Sequence, residues 1–217
     1  MLAHFEGEIQ MKKMMLDLFA GFGGQSEAFV QSGRWDVLRI DNNELLSEVP
    51  RMVIEDIGSD LFFAMLEPSQ IHEIEYIHAS PPCHGFSLGY HAPKAVASRS
   101  GERYEPSTEL VEIAYKIIQE LQPRFWSIEN VRGSIKHLKP ILGEPRIIIG
   151  PYVYWGRFPP LQITAEDLPQ KSSHDKRHSP LRSNYLAQVP LQLSKAFLNA
   201  IETQTRLNDA ESRWFSN

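Results

Sequence analysis

The chain has 217 residues, of which 42% are hydrophobic and 23% charged, so it can bury the core of one soluble globular domain. Its net charge of -5 argues against a generally basic coat for nucleic acid, although a local basic face stays open. The single cysteine excludes an internal disulfide and fits a reducing, cytoplasmic setting. We find no apolar run long enough to span a membrane and no signal-peptide pattern.

Apolar runs and glycines predict the first unit of the fold. Residues 1–13 are interpreted as an extension, and residues 14–19 as an apolar strand that contains Asp17. A glycine-rich turn follows at residues 20–26, and then a short helix that stops at Gly33. Strand, glycine turn and helix open a nucleotide-binding α/β unit, although packing alone also selects glycine at such turns.

Two further strands are predicted, and each ends in an acid, Asp41 and Asp56. Asp41 follows Gly24 at close to the spacing of roughly 20 residues at which an acid reaches a ribose hydroxyl. Any one such acid is commonly a solvated loop residue. Because Asp17, Asp41 and Asp56 follow successive strands, we expect a polar ligand along one edge of the sheet.

The lone cysteine, Cys83, directly follows two prolines and a short apolar run at residues 76–79. The run predicts a buried strand, so the thiol lies just past its carboxyl end, where open α/β sheets bind ligands. Pro81 and Pro82 restrict the backbone, and a stiff turn would hold a nucleophile. A buried, inert cysteine is the alternative, and position alone favours neither.

Residues 84–105 show no period, which predicts a long, mildly basic loop: a flap over an anionic substrate, or a solvated surface loop. A one-faced apolar stripe over residues 110–121 predicts a packing helix. Residues 125–128 follow as the fifth strand. Glu129 at its tip points to the same edge as Cys83.

The remaining sequence is less regular. Residues 146–149 are a strand candidate, and residues 151–160 are aromatic and turn-rich. Residues 171–182 are the best phosphate-contact candidate, although a solvated loop is the more usual interpretation of such a segment. Pro190 opens a final amphipathic helix, and we expect a polar tail over residues 208–217. The histidines lack a metal-binding spacing, so we predict no metal.

Three segments together resemble motifs of the cytosine-C5 DNA methyltransferase family. Residues 17–24, Asp-Leu-Phe-Ala-Gly-Phe-Gly-Gly, are similar to its first motif, residues 80–83 to its catalytic motif, and residues 129–131 to its glutamate motif. They occur in the family's order, each at the end of a predicted strand. The resemblance implies an α/β fold, the Rossmann-like fold of S-adenosylmethionine-dependent methyltransferases, with a mostly parallel sheet and helices on both faces.

The resemblance also implies a covalent mechanism on C5 of cytosine in DNA. The Cys83 thiolate would add to C6, and Glu129 would hydrogen-bond the N3 and N4 edge and protonate N3. C5 would then take the methyl group and lose its proton to a base, and Cys83 would be eliminated. The target base must leave the stack of the duplex. Pro82, Asn130 and Arg157, the nearest substitute for a family arginine motif, complete the expected catalytic set.

A cofactor site is implied in the same way. Asp41 would hold the ribose hydroxyls of S-adenosylmethionine, and Asp56 its adenine amine. The full expected cofactor-binding set is Asp17, Leu18, Phe19, Ala20, Gly21, Gly23, Gly24, Asp41, Asn42, Asp56, Ile57, Ser80 and Pro81.

The chain departs from the family's pattern in three places. The Gln-x-Arg-x-Arg motif after the glutamate strand is not found. The final motif, at residues 186–190, lacks its usual asparagine, for which Ser183 or Asn184 is the expected substitute. Residues 131–189 leave no room for the usual long target-recognition insert. The recognition region is therefore minimal, about residues 140–185, and specificity would be weak, short or borrowed from a separate partner.

We expect one catalytic domain over residues 14–207 that acts on double-stranded DNA, as a restriction–modification or orphan enzyme. C5 methylation of RNA is an alternative, although the extra motifs of the tRNA-methylating branch are not found. A catalytically weak cofactor- or nucleic-acid-binding homologue that needs a partner is another, favoured by the missing arginine motif. A Rossmann-type oxidoreductase is disfavoured, because it leaves Cys83 and Glu129 unexplained.

Overall fold

A computed structural model of the chain describes residues 12–59, 62, 64, 74–87, 93–169 and 178–214. Within them the strands are β1 (Lys13–Leu18), β2 (Trp35–Asp41), β3 (Met52–Ile54), β4 (Ile74–Ala79), β5 (Phe125–Val131), β6 (Ile147–Ile149) and β7 (Tyr152–Arg157). The helices are α1 (Glu27–Ser32), α2 (Pro93–Ser100), α3 (Glu109–Leu121), α4 (Ile135–Leu142), α5 (Arg182–Ala187) and α6 (Leu191–Trp214). Short 3₁₀ turns lie at Glu44–Leu46, His84–Phe86, Arg132–Ser134 and Ala165–Asp167.

The described strands form one sheet in the order β3-β2-β1-β4-β5-β7-β6. Strands β1 to β5 are parallel, whereas β7 runs antiparallel to both β5 and β6. The order reverses between β1 and β4, and open α/β sheets bind ligands in the crevice beside such a reversal. The predicted α/β fold with a mostly parallel sheet is confirmed.

Helices cover both faces of the sheet, as the alternation of side chains along β1 shows. Met15 lies in one apolar cluster with Phe29 of α1 and Phe197 of α6. Its neighbour Leu16 lies in a second cluster with Ile117 of α3. Strands that are buried on both faces need apolar residues at successive positions, which explains why the sequence shows continuous apolar runs.

Two elements form where none was predicted. Pro93–Ser100 is a helix inside the expected loop of residues 84–105. It was missed because it is short and polar, and Ala97 is its one buried apolar residue among those described, so it shows no apolar stripe. Tyr152–Arg157 is a strand inside the segment expected to be turn-rich. It is paired on both sides and buried on both faces, so its sequence does not alternate.

The ends of several elements also differ from prediction. Strand β1 begins at Lys13, inside the expected extension, and α6 continues to Trp214, through part of the expected tail. Buried Thr205 packs beyond the predicted apolar face of α6. Strand β5 extends to Val131, so Glu129 lies within the strand and not at its tip, because β7 pairs alongside it.

Candidate active site

The ends of β1, β2, β4 and β5 bring the predicted segments to one edge of the sheet. Leu18 lies beside Ile40 on one side and Ala79 on the other, and Ala79 lies beside Ile128. Beyond the ladder, the Ser80 N–H still donates to the Leu18 carbonyl at 3.1 Å. The glycine turn, Asp41 and the Cys83 turn therefore lie side by side at one edge of the sheet, as the sequence predicted. Glu129 lies beside Ser80 at the same edge, inside β5.

The glycine turn after β1 is held from the side by Asp41. Gly21 and Gly23 have φ angles of 53° and 71°, a left-handed conformation that favours glycine. The Gly21 N–H donates to Asp41 Oδ2 at 2.9 Å, and Asp41 Oδ1 accepts from the Asn43 N–H at 3.0 Å. The predicted ribose-binding carboxylate is thus oriented by the turn itself.

The final motif packs directly on this turn. A Cβ atom on Gly24 would lie 2.4 Å from the Val189 carbonyl oxygen, so only glycine allows the two backbone segments to lie this close together. Asn184 Nδ2 lies 3.5 Å from the place of a Cβ on Gly21, and the Tyr185 ring lies 4.5 Å from that of Phe22. This placement supports Asn184, and not exposed Ser183, as the substitute for the missing asparagine.

A buried ion cluster lies beneath the turn. Asp17, 1% exposed, accepts from Ser26 Oγ at 2.5 Å. Burial raises the pKa of Asp17 to about 7, against the opposing effects of Ser26 and Arg39. Asp17 was predicted to bind the cofactor, but its carboxyl group faces the underside of the turn, so it supports the turn instead. Leu18 is also fully buried, which leaves only its backbone for a ligand.

Arg39 is a site residue that sequence reasoning missed. Its guanidinium, 1% exposed, donates to Ser26 Oγ at 2.8 Å, the Gly23 carbonyl at 3.1 Å and Glu27 Oε2 at 2.7 Å. It therefore fastens the glycine turn from below. The available signal was an arginine inside the apolar run of β2, which a buried strand tolerates only where the charge is paired.

The Cys83 turn is tied to β5 by two hydrogen bonds. Asn130 Nδ2 donates to the Pro81 carbonyl at 3.1 Å, and Ser80 Oγ donates to Glu129 Oε2 at 3.2 Å. Cys83 is partly exposed and begins the short turn His84–Phe86. The thiol thus follows β4, Glu129 lies near the end of neighbouring β5, and the two segments are braced against each other.

Glu129 lies in a largely buried, aromatic environment. It is 9% exposed, and Tyr154 on β7 lies directly opposite it. Burial and the Glu129 charge raise the pKa of Tyr152 to about 12 and hold that of Tyr154 well above its ordinary value. Both phenols are therefore neutral neighbours of the carboxyl group. The aromatic segment was visible in the sequence, but its place beside Glu129 was not, because β7 was not predicted.

Arg157 does not lie at this edge. It pairs with Trp126 near the start of β5, and its Nη2 donates to the Pro123 carbonyl. Its prediction as the arginine that reaches the base is wrong, because β7 runs antiparallel and carries its last residue to the opposite edge of the sheet.

A cavity of about 200 Å³ borders the Cys83 turn. The wall opposite the turn comes from the start of α3 and the segment before it. The lining residues are Pro81, Pro82, Gly85, Phe86, Tyr104, Ser107, Leu110 and Val111. The turn after β3 reaches the same helix, since a Cβ on Gly58 would lie 3.5 Å from Ile113 Cδ1. Asp56 and Ile57, which were predicted to bind the cofactor, therefore belong to a turn that packs on α3, the helix whose start lines the cavity.

Residues 13–142 match the profile of the family described as C-5 cytosine-specific DNA methylase. The chain belongs to this family. The Type II methyltransferase M.DdeI of Desulfomicrobium norvegicum is 26% identical over 148 residues, which cover 60% of this chain and 32% of M.DdeI. The Type II methyltransferase M.AquIA of Picosynechococcus sp. is 28% identical over 138 residues, which cover 59% of this chain and 52% of M.AquIA. A solved DNA modification methyltransferase from an E. coli prophage is 24% identical, with a TM-score of 0.40 over 74% of this chain and 51% of that chain.

The C-5 cytosine-specific DNA methylase match contains the glycine turn, Cys83 and Glu129, and it ends before β6. The chain spans about a third to a half of the curated relatives named above. Within the expected recognition region, residues 140–185, strands β6 and β7 complete the central sheet, so still less chain remains for recognition. Most of the basic segment at 171–182 lies outside the described residues.

In the part of the chain that the structure describes, no helix is both long and apolar enough to cross a membrane. The same residues hold no cluster of three histidine, cysteine, aspartate or glutamate side chains that would ligate a metal ion.

Proposed function

We propose that this chain transfers a methyl group from S-adenosylmethionine to C5 of cytosine in DNA. The observation that carries the proposal is the bracing of the Cys83 turn against the Glu129 strand, through Ser80 and Asn130. A nucleophile and a carboxyl group at the same edge of the sheet, on adjacent strands, are the two groups that the reaction needs on the base.

The glycine turn and the strand ends beside it fit the cofactor. The turn presents a left-handed backbone at Gly21 and Gly23, and Asp41 accepts from the Gly21 N–H. Asp56 follows β3, the strand next to β2. Asp41 would accept the ribose hydroxyls, and Asp56 the adenine amine. S-adenosylmethionine, when bound there, supplies an electrophilic methyl group.

The residues of the chain would act on the base in a fixed order. The Cys83 thiolate forms a bond to C6 while Glu129 gives its proton to N3, and the electron pair of the former C5–C6 double bond becomes available at C5. After C5 has taken the methyl group, a base removes the C5 proton. The C6–sulfur bond then breaks, the thiolate leaves, and the N3 proton returns to Glu129.

The buried position of Glu129 requires that the base enter the site alone. A base in a stacked duplex presents neither C6 nor N3 to a cleft, so the target must be flipped out. Since few residues lie between the glutamate strand and the final motif for a recognition element, we further propose that sequence specificity is low or comes from a separate partner.

The position of Arg157 favours a second candidate, a homologue that binds the cofactor and methylates slowly. This homologue would keep the glycine turn and its cofactor affinity. It would differ from the first candidate in the rate of the chemical step.

The deciding experiment is covalent trapping on DNA in which 5-fluorocytosine replaces cytosine. Fluorine at C5 cannot leave as a proton would, so an active protein stays bound through Cys83. We expect a denaturant-resistant adduct that requires S-adenosylmethionine and disappears in Cys83→Ser. An adduct with RNA and none with DNA would move the substrate to RNA. Cofactor binding without either adduct would favour the slow homologue.

A further inference from the structure

A chain of hydrogen bonds leads from the core of the protein to Glu129. The Tyr76 phenol oxygen lies 2.6 Å from Ser127 Oγ, which lies 2.7 Å from His78 Nδ1. On the other side of the ring, His78 Nε2 lies 2.8 Å from Ser80 Oγ, the donor to Glu129 Oε2. Tyr76, His78 and Ser127 are fully buried. The reaction proposed above makes no use of these three side chains.

The donor and the acceptor of each hydrogen bond in this series follow from the groups at its two ends, Glu129 and Tyr76. Since the Ser80 proton points to Glu129, the Ser80 oxygen accepts from His78, which places the imidazole proton on Nε2. Burial lowers the pKa of His78 to about 3, so the ring is neutral and Nδ1 is an acceptor. It therefore accepts from Ser127, which in turn accepts from Tyr76.

The series of hydrogen bonds orients the side chains that form it and does not conduct protons to solvent. Its far end, Tyr76, packs between Phe29 and Phe197, with ring centroids 5.5 Å and 6.0 Å away. Burial also raises the pKa of the Tyr76 phenol far above its ordinary value, so Tyr76 keeps its proton. Every donor points toward Glu129, and bonds aligned in this way polarise one another.

We propose that His78 is a positioning residue for Glu129. Held in its Nε2–H tautomer by Ser127, it fixes the Ser80 hydroxyl on Oε2 of Glu129 and so sets the orientation of the carboxyl group. The inference rests on the proposed function for the role of Glu129, whereas the tautomer of His78 is a property of the protein alone.

Two measurements test the proposal, and the first needs no activity. In ¹⁵N-histidine-labelled protein, we expect the His78 ring to be neutral with its proton on Nε2. In Ser127→Ala, which removes the donor to Nδ1, we expect a mixture of tautomers. An Nδ1–H tautomer or an imidazolium in the wild-type protein would overturn the inference, even if the protein methylates DNA as proposed.

The second measurement is single-turnover methylation of DNA. Ser127→Ala removes the hydrogen bonds to both Tyr76 and His78. Loss of the bond that holds His78 should slow the step about tenfold, with unchanged KM for DNA, although Ser127 itself is not proposed to touch the substrate. Ser80→Ala should also be slow, and Ser80→Thr, which keeps the hydroxyl, should recover the rate. Ser194→Ala is the matched control, because Ser194 is equally buried but bonds Gln25 and Ala28.

Equal slowing in Ser127→Ala and Ser194→Ala would show a general loss of packing and would overturn the proposal. Wild-type rates in Ser80→Ala would overturn it as well. If the wild-type protein binds S-adenosylmethionine but methylates no DNA, the proposed function fails. The tautomer measurement still decides in which direction the hydrogen bonds between Tyr76 and Glu129 run.

Discussion

Substitution of Gly24 by alanine tests the contact between the first and last motifs. The new Cβ would lie 2.4 Å from the Val189 carbonyl oxygen and 2.9 Å from the Val189 nitrogen, both backbone atoms. Neither atom belongs to a flexible side chain, so the segment before α6 must move away from the turn.

Overpacking of this kind lowers the free energy of unfolding by about 1–3 kcal/mol. Alanine also restricts the unfolded chain, which raises the free energy of unfolding by about 0.4–1 kcal/mol, a smaller effect. We therefore expect Gly24→Ala to lower the free energy of unfolding by about 1–2 kcal/mol. In a domain of this size, that change lowers the melting temperature by about 2–8 °C. Affinity for S-adenosylmethionine should fall further than stability alone explains, because the displaced segment directly follows α5, whose Asn184 lies against Gly21 in the proposed cofactor-binding turn.

Thermal unfolding and calorimetric titration with S-adenosylmethionine measure the two effects. Gly33→Ala is the control: Gly33 has a φ of 67°, and among the described residues beyond its chain neighbours no heavy atom lies within 4 Å of its added Cβ. It should lose stability through backbone strain and keep its cofactor affinity. Wild-type stability and affinity in Gly24→Ala would refute the reasoning about this contact.

Three further predictions concern individual side chains. Cys83→Ala should abolish turnover and leave affinity for S-adenosylmethionine nearly unchanged, and calorimetry that shows lost binding in a folded variant would contradict this division of roles. Glu129→Gln should slow methylation about 10²–10⁴-fold in single-turnover assays, because general acid catalysis contributes about that factor, and an unchanged rate would remove Glu129 from the mechanism. Because burial raises the pKa of Asp17 to about 7, its contribution to stability is full below about pH 4 and is lost as the pH rises toward 7. Urea unfolding of Asp17→Asn should therefore show a smaller loss of stability between pH 5 and 8 than the wild type, and identical losses would contradict the burial argument.

Short-range patterns explain why much of the site was predictable. The glycine turn, the Cys83 turn and Glu129 each follow a continuous apolar run, and such a run reports a strand that is buried on both faces. Parallel strands present their carboxyl ends at one edge, so the order of the motifs along the chain was enough to place them together. Helix α1 was predicted to stop at Gly33, and the left-handed conformation of that residue shows why it does.

Long-range pairing explains where prediction failed. The aromatic segment after β6 has no alternation, so neither its strand nor its direction was visible. Only the antiparallel pairing of β7 with β5 places Tyr154 opposite Glu129 and carries Arg157 to the far edge. The pairing also lengthens β5 past the end of β4, which draws Glu129 into the sheet.

The sequence by itself determined the fold class and the edge of the sheet at which the candidate site lies, and it placed Cys83 and Glu129 at that edge, since each of these depends on local runs and their spacing. Only the tertiary structure decided what surrounds them. Arg39 lies beneath the glycine turn, and His78 reaches Glu129 through Ser80, because strands distant in sequence stack their inward side chains in register. A hydrogen bond across such a sheet depends on which strands are neighbours, and no single segment of the sequence shows which strand it pairs with.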